Sequence, residues 1–119
     1  MQSFKELNVW DKSFKLVKPV YLITTQLPDS EKYGLSSQLQ RSAVSIPSNI
    51  AEGQQRSGSK EFANFLSIAR GSAAELYTQL LLCTDLYGIE TQSALSETES
   101  IQKMLYSLQV KVTKKVSNG

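Results

Sequence analysis

The stretch from Gln38 to Leu82 leaves few choices of fold. Leu35, Leu39, Ala43, Ile46 and Ile50 recur at steps of three and four, the spacing that lines one side of a 3.6-residue turn. A second run, Phe62, Leu66, Ala69, Ala73, Leu76, Leu80 and Cys83, steps 4-3-4-3-4-3, a heptad seam of the kind used in coiled coils and bundles. Two helices back to back follow, Gln38 to about Gln55 and Ser59 to about Leu86, hinged at Arg56-Ser57-Gly58. Each has a polar row beside its apolar one: Gln38, Arg41, Ser45, Asn49 and Glu52 on the first, Ser72, Glu75 and Gln79 on the second. Such rows meet each other, face water, or face another molecule. The sequence leaves all three open.

The flanking segments carry the same periodicity. Trp10, Phe14, Val17, Tyr21 and Thr24 share one face, while Leu16, Val20, Ile23 and Leu27 form a second apolar row, so this helix is expected to be covered on more than one side. Asn8, three residues before Asp11, is its expected cap. Pro19 should bend it, and Leu27-Pro28-Asp29-Ser30 should end it. Pro47 should distort the second helix without dividing it. Gly53 suits either a close helix approach or fraying before the loop. Ser59 is the expected cap of the third helix, and Gly88 its left-handed stop. Gly71, with Ala69, Ser72, Ala73 and Ala74, reads as a small-residue waist for a neighbouring helix. Thr91 should cap a fourth helix with the seam Ile101, Leu105, Leu108, Val112 and Val116, fraying at Ser117-Asn118-Gly119. The expected fold is all-α, one antiparallel up-down-up-down four-helix bundle spanning residues 1–119.

Composition narrows the chemistry. One cysteine rules out an intramolecular disulfide, and the absence of histidine removes the common zinc sites and the Ser-His and Cys-His nucleophile arrangements, so no metal or cofactor is expected. The opening Met-Gln-Ser-Phe-Lys-Glu-Leu is charged where a signal peptide would be apolar, and no run approaches the ~18 apolar residues of a membrane span. A soluble, cytoplasmic protein with no membrane partner is the expectation. The formal charge is only +2, but it is unevenly spread: Asp85, Glu90, Glu97 and Glu99 cluster around the third connection, whereas Lys103, Lys111, Lys114 and Lys115 fill the last helix. The helix dipole favours lysines near a C-terminus, so a solvated helix end is the plain reading of that run.

Catalysis would need Glu52, Glu75, Asn49 and Arg41 to converge. Two carboxylates on facing helices can do acid–base work or hold a metal, yet the Glu-x-x-His pairs of bundle metal sites are missing. A structural polar network of Arg41, Ser45, Asn49, Glu52, Ser72 and Glu75 that fixes helix register explains these residues better. Cys83 falls on the apolar seam and reads as a small buried hydrophobe. Ser57-Gly58-Ser59 lacks the glycine spacing and the lysine of a phosphate-cradling loop.

The string Gln38-Leu39-Gln40-Arg41-Ser42-Ala43-Val44-Ser45-Ile46-Pro47-Ser48-Asn49-Ile50-Ala51-Glu52-Gly53 resembles the 23S ribosomal RNA intervening sequence proteins, a four-helix bundle family often labelled ribosomal proteins. Lys60-Glu61-Phe62, Phe65 to Ser72, Glu75-Leu76, Thr78-Gln79-Leu80, Leu7 to Trp10 and Tyr33-Gly34-Leu35 extend the likeness, which is weakest after Gly88. The resemblance implies an antiparallel bundle that assembles into a ring-shaped homopentamer, and no enzyme. Some members are encoded within insertions in large-subunit ribosomal RNA genes. A related branch, the accessory protein of diversity-generating retroelements, is a pentamer whose basic surface binds nucleic acid beside a reverse transcriptase. On that footing the candidate RNA- or DNA-binding residues are Lys12, Lys15, Lys18, Arg41, Arg56, Lys60, Lys111, Lys114 and Lys115. Repetition of a basic surface around a ring would compensate for the small charge of one protomer. The alternative is an adaptor oligomer that binds a protein partner through the apolar face of the first helix.

Overall fold

A computed structural model describes residues 7–118. Four helices, α1 (Asn8–Thr24), α2 (Leu35–Gln55), α3 (Ser59–Tyr87) and α4 (Gln92–Asn118), are joined by short connections, with one 3-10 turn at Asp29–Glu31. No strand occurs among the described residues. Cross-helix bonds give the directions. Along α2, Arg41, Ser42 and Ser45 meet Glu75, Gln79 and Ser72 of α3, while Gly53 lies against Phe62 and Phe65, so the two run antiparallel. Thr91, just before α4, and Gln109 within it meet Leu80 and Ala63 of α3 in the same opposed sense. α1 packs on α2 and α4, but α1 and α3 do not meet, nor do α2 and α4. The helices therefore stand at the corners of a square, in a rod about 50 Å long and 20 Å across.

The core is the expected seam. Leu39, Ile46 and Ile50 of α2, Leu66, Leu76 and Leu80 of α3, Ile101 and Leu105 of α4 and Val20 of α1 are fully buried. Each side chain of this kind contributes about 1.5–3 kcal/mol by leaving water. The two apolar rows of α1 take part unequally: Leu16, Val20, Ile23 and Leu27 are buried, whereas in the other row Thr24 is buried, Trp10 and Val17 pack against the core partly buried, and Phe14 and Tyr21 stay exposed. Val116, expected on the α4 seam, is also exposed.

Several local expectations are corrected. Asn8 is the first helical residue and Leu7 precedes it with no side-chain cap; Asp11 instead ion-pairs with Lys15 at 2.9 Å, one turn on. Ser59 likewise lies inside α3, after an extended Gly58. Thr91 does sit just before α4, but its hydroxyl turns inward to Thr84 and the Leu80 carbonyl, and the Glu90 carboxylate accepts the Gln92 amide at 2.6 Å. Gly71 and Ala74 face solvent, so the waist consists of Ala69, Ser72 and Ala73 alone. α4 stays helical through Ser117 and Asn118; Gly119 lies outside the described residues.

Both internal prolines are absorbed. Pro19 sits on the solvent side of α1, where water can serve the carbonyl its ring leaves without a donor. Pro47 is buried within a continuous α2. Gly53 is a close-approach residue, since a Cβ there would lie 2.7 Å from the Phe65 Cβ. Gly88, at φ 66°, supplies the left-handed stop of α3, and its amide returns to the Thr84 carbonyl at 2.8 Å.

Candidate nucleic-acid interface

Antiparallel packing turns the uneven charge of the sequence into a polarity of the rod. One end gathers the start of α1, the α2–α3 hinge and the last turns of α4, bringing Lys12, Arg56, Lys60, Lys111, Lys114 and Lys115 together. The other end holds the α1–α2 and α3–α4 connections, with Asp29, Glu31, Asp85 and Glu90. Several of the cations singled out from sequence are already engaged. Lys15 pairs with Asp11, Arg41 with Glu75 at 2.8 Å, and Arg56 with Glu52 at 3.4 Å and Glu61 at 3.9 Å. Among the described residues, no ion pair engages Lys12, Lys18, Lys60, Lys111, Lys114 or Lys115. Lys18 stands apart from the basic end, on the rim of an apolar crease between α1 and α2.

The basic surface is concentrated on α4, which has no acidic residue after Glu99. On its α3 side a crease of about 290 Å³ is lined by Arg70, Tyr106, Gln109, Lys114 and Ser117, among others. Arg70 is held there rather than waving in water. Its Nη1 donates to the Gln109 Oε1 at 2.7 Å, and its guanidinium lies 5.2 Å from the centre of the Tyr106 ring. Gln109 is fixed in turn by donating to the Ala63 carbonyl at 3.0 Å and the Ser67 hydroxyl at 2.5 Å. On the α1 side, Lys103 and Lys111 line a second crease with Leu7, Asn8 and Met104. Lys103 is paired with Glu99 at 3.9 Å, whereas Lys111 and Lys114 have no ion pair among the described residues; with the pre-oriented Arg70 of α3 and the exposed Tyr106 beside them they can contact phosphates and stack a ring on a base.

Arg70, Tyr106 and Gln109 were not among the sequence candidates. Arg70 and Gln109 are 39 positions apart and meet only once the α3–α4 register is set. The 3-4-4 spacing of Lys103, Tyr106, Val110 and Lys114 was the available signal, since it puts three functional side chains along one ridge of α4.

The two polar rows meet each other. Ser45 and Ser72 share a hydrogen bond of 2.7 Å, and Asn49 donates to the Ser45 hydroxyl and carbonyl at 2.9 and 2.8 Å. Gln38 accepts from Arg41, which also reaches Glu75. Ser42, buried, donates to Gln79 at 2.7 Å. Glu52 stands outside this chain of contacts, because Arg56 lies one turn on and draws it to the surface. Glu52 and Glu75 therefore do not converge, and no cluster of three or more potential metal ligands exists among the described residues. Nor is any described helix long and apolar enough to cross a membrane.

At the acidic end, Tyr87 donates to Glu31 at 2.5 Å and the Leu35 amide donates to the same carboxylate at 3.0 Å. The Tyr87 hydroxyl, then the Leu35 amide, hold the Glu31 carboxyl below the usual carboxylate range, and Glu31 pushes the Tyr87 phenol up. Burial pushes the Cys83 thiol up, which makes it a packing residue and a poor nucleophile.

Comparison with known proteins agrees with the fold. The crystal structure of a protein of unknown function from the S23 ribosomal protein family of Bacteroides thetaiotaomicron is similar, at a TM-score of 0.78 and 30% identity over 85% of this chain and 97% of that one. No curated protein matches. The model of the 23S rRNA-intervening sequence protein family matches residues 5–107, a span that closes before Lys111, Lys114 and Lys115. With that match over most of its length, the chain belongs to the 23S rRNA-intervening sequence protein family.

Proposed function

We propose that this chain is a non-catalytic, self-associating scaffold that binds RNA or DNA through the basic ridge of α4, repeated around a ring of five copies. The observation that carries the reading is the acid-free second half of α4, where Lys111, Lys114 and Lys115 have no ion pair among the described residues and Lys114 shares a crease with the braced Arg70 and Tyr106. Base-edge reading is not part of the proposal: the contacts on offer are charge and ring stacking, which position nucleic acid without choosing its sequence. Repetition supports it, because several weak phosphate-binding ridges on one assembly act with the avidity of a single strong one.

The test is binding of single- and double-stranded RNA and DNA across a salt series. Affinity should fall steeply as salt rises, and the triple variant Lys111→Glu, Lys114→Glu, Lys115→Glu should lose at least tenfold and flatten the salt slope. Binding that is absent at low salt, or indifferent to the triple variant, contradicts the proposal. The adaptor reading keeps one observation in its favour, the apolar crease between α1 and α2, which suits a protein surface and not a phosphate backbone.

A further inference from the structure

From that crease and a second apolar patch on the opposite side of the rod, we infer that two copies of this chain associate head to tail, the α1–α2 crease of one receiving the α3–α4 corner of the next. The inference rests on the self-association reading above and says which faces make the contact. The crease, about 700 Å³, runs between the less buried row of α1 and the outer side of α2. Trp10 and Phe14 stack along it at 5.1 Å, Tyr21 and Val44 continue it, and Lys18 is the charged group in its lining. The second patch lies where α3 hands over to α4. Leu81 and Leu82 are exposed beside Ile89 and Leu95, and the charged groups in that lining are Asp85 and Glu90.

Three features make a second copy the occupant. The patches are complementary in charge, a lysine at one and two carboxylates at the other, so each disfavours its own kind and favours its opposite. They also sit on opposite faces: the square packing puts the α1–α2 side across the bundle from the α3–α4 side. A contact between different faces is heterologous, and such contacts build rings when the rotation closes. Lastly, Phe14 (57% exposed) in the crease and Leu81 (47%) on the corner are large apolar side chains left in water, and such residues are what interface cores are made from.

The experiment uses the full chain and two variants that each spoil one face. Phe14→Glu with Val44→Glu places carboxylates in the crease; Leu81→Lys with Leu82→Lys places ammonium groups on the corner. All four positions are exposed, and circular dichroism checks that the variants remain helical. By sedimentation or native mass spectrometry, the unaltered chain should exceed its 13.2 kDa protomer mass and each variant should run as a monomer. Mixing the two should give a particle of about 26 kDa, twice the protomer mass, and nothing larger, because one good crease and one good corner remain. A mixture that stays monomeric while the unaltered chain assembles overturns the pairing but leaves self-association standing. So does a corner variant that dimerises alone, which would mean the crease pairs with itself. An unaltered chain that is monomeric throughout leaves the crease to a different protein and overturns both. Lys18→Glu should weaken assembly, and adding Asp85→Lys and Glu90→Lys to the same chain should restore it.

Discussion

The two flanks of α2 are built from opposite materials. Toward α3 it presents serines, an asparagine and an arginine, every one of them bonded, and Gly53 brings the backbones into near contact. Toward α1 its outer edge presents Val44, Pro47 and Ala51, which leave an open apolar crease with Phe14 and Tyr21. Polar residues thus mark the finished contact and apolar residues the unfinished one. The reason is register. A hydrogen bond between two small side chains holds at one axial offset only, whereas apolar surfaces slide and accept whatever covers them. A seam that must be right within the chain is written in hydroxyls and amides; a surface that awaits a partner is written in rings and branched carbons.

The comparison breaks most visibly at paired truncations. Leu76→Ala, under the seam, should cost about 2–5 kcal/mol of unfolding free energy, while Phe14→Ala, in the crease, should hardly alter the stability of the protomer and should instead reduce its assembly. Chemical denaturation with parallel mass measurement separates the two. If Phe14→Ala proved as destabilising as Leu76→Ala in a monomeric sample, the crease would be core.

Two glycines sharpen the contrast with opposite signs. Gly53→Ala forces a Cβ against Phe62 and Phe65 and should destabilise by about 1–3 kcal/mol. Gly71→Ala meets nothing within 4 Å and should stabilise by about 0.5–1 kcal/mol, through helix propensity alone. Thermal unfolding of both reads the sign directly.

Smaller still is the coupling across the seam. A double-mutant cycle on Ser45→Ala and Ser72→Ala should return about 1 kcal/mol of interaction energy, and a value near zero would mean the row is solvated rather than structural.

Least of all is the lock at the acidic end. The Glu31 carboxyl is held low, so its contribution is present above the ordinary carboxylate range and is lost as pH falls through the lowered value. Tyr87 is held high, so its share is present below the ordinary phenol range and lost as pH rises through the raised value. Stability should therefore carry a shallow plateau between those limits. Tyr87→Phe should lower the plateau, abolish its alkaline limb because no phenol remains there to titrate, and weaken the acid limb to what the Leu35 amide alone sustains, which acid and alkaline titrations of unfolding would show.

Much of this could be read in the residues. The heptad seam of α3 and the stripe of α2 named the buried side chains almost one by one, because periodicity records which side of a helix avoids water. Helix starts were less legible: Asn8 and Ser59 have the chemistry of caps but sit one residue inside, since the entry of the loop, set by packing, decides which residue is last to be extended. Gly71 was misplaced for a related reason, as a small residue next to small residues looks buried until the face is known. The rows of Ser45 and Ser72 were visible, but their meeting was not. The bracing of Arg70 by Gln109 was invisible, because nothing in either neighbourhood points to the other.

The account stands or falls on whether the apolar flank of α2 is covered by another copy. Sedimentation of the full chain over a wide concentration range, beside Phe14→Glu, is the most direct test. Species heavier than 13.2 kDa that collapse to the protomer in the variant are the expected result. A particle of 13.2 kDa at every concentration, or an assembly untouched by a carboxylate at position 14, would contradict it.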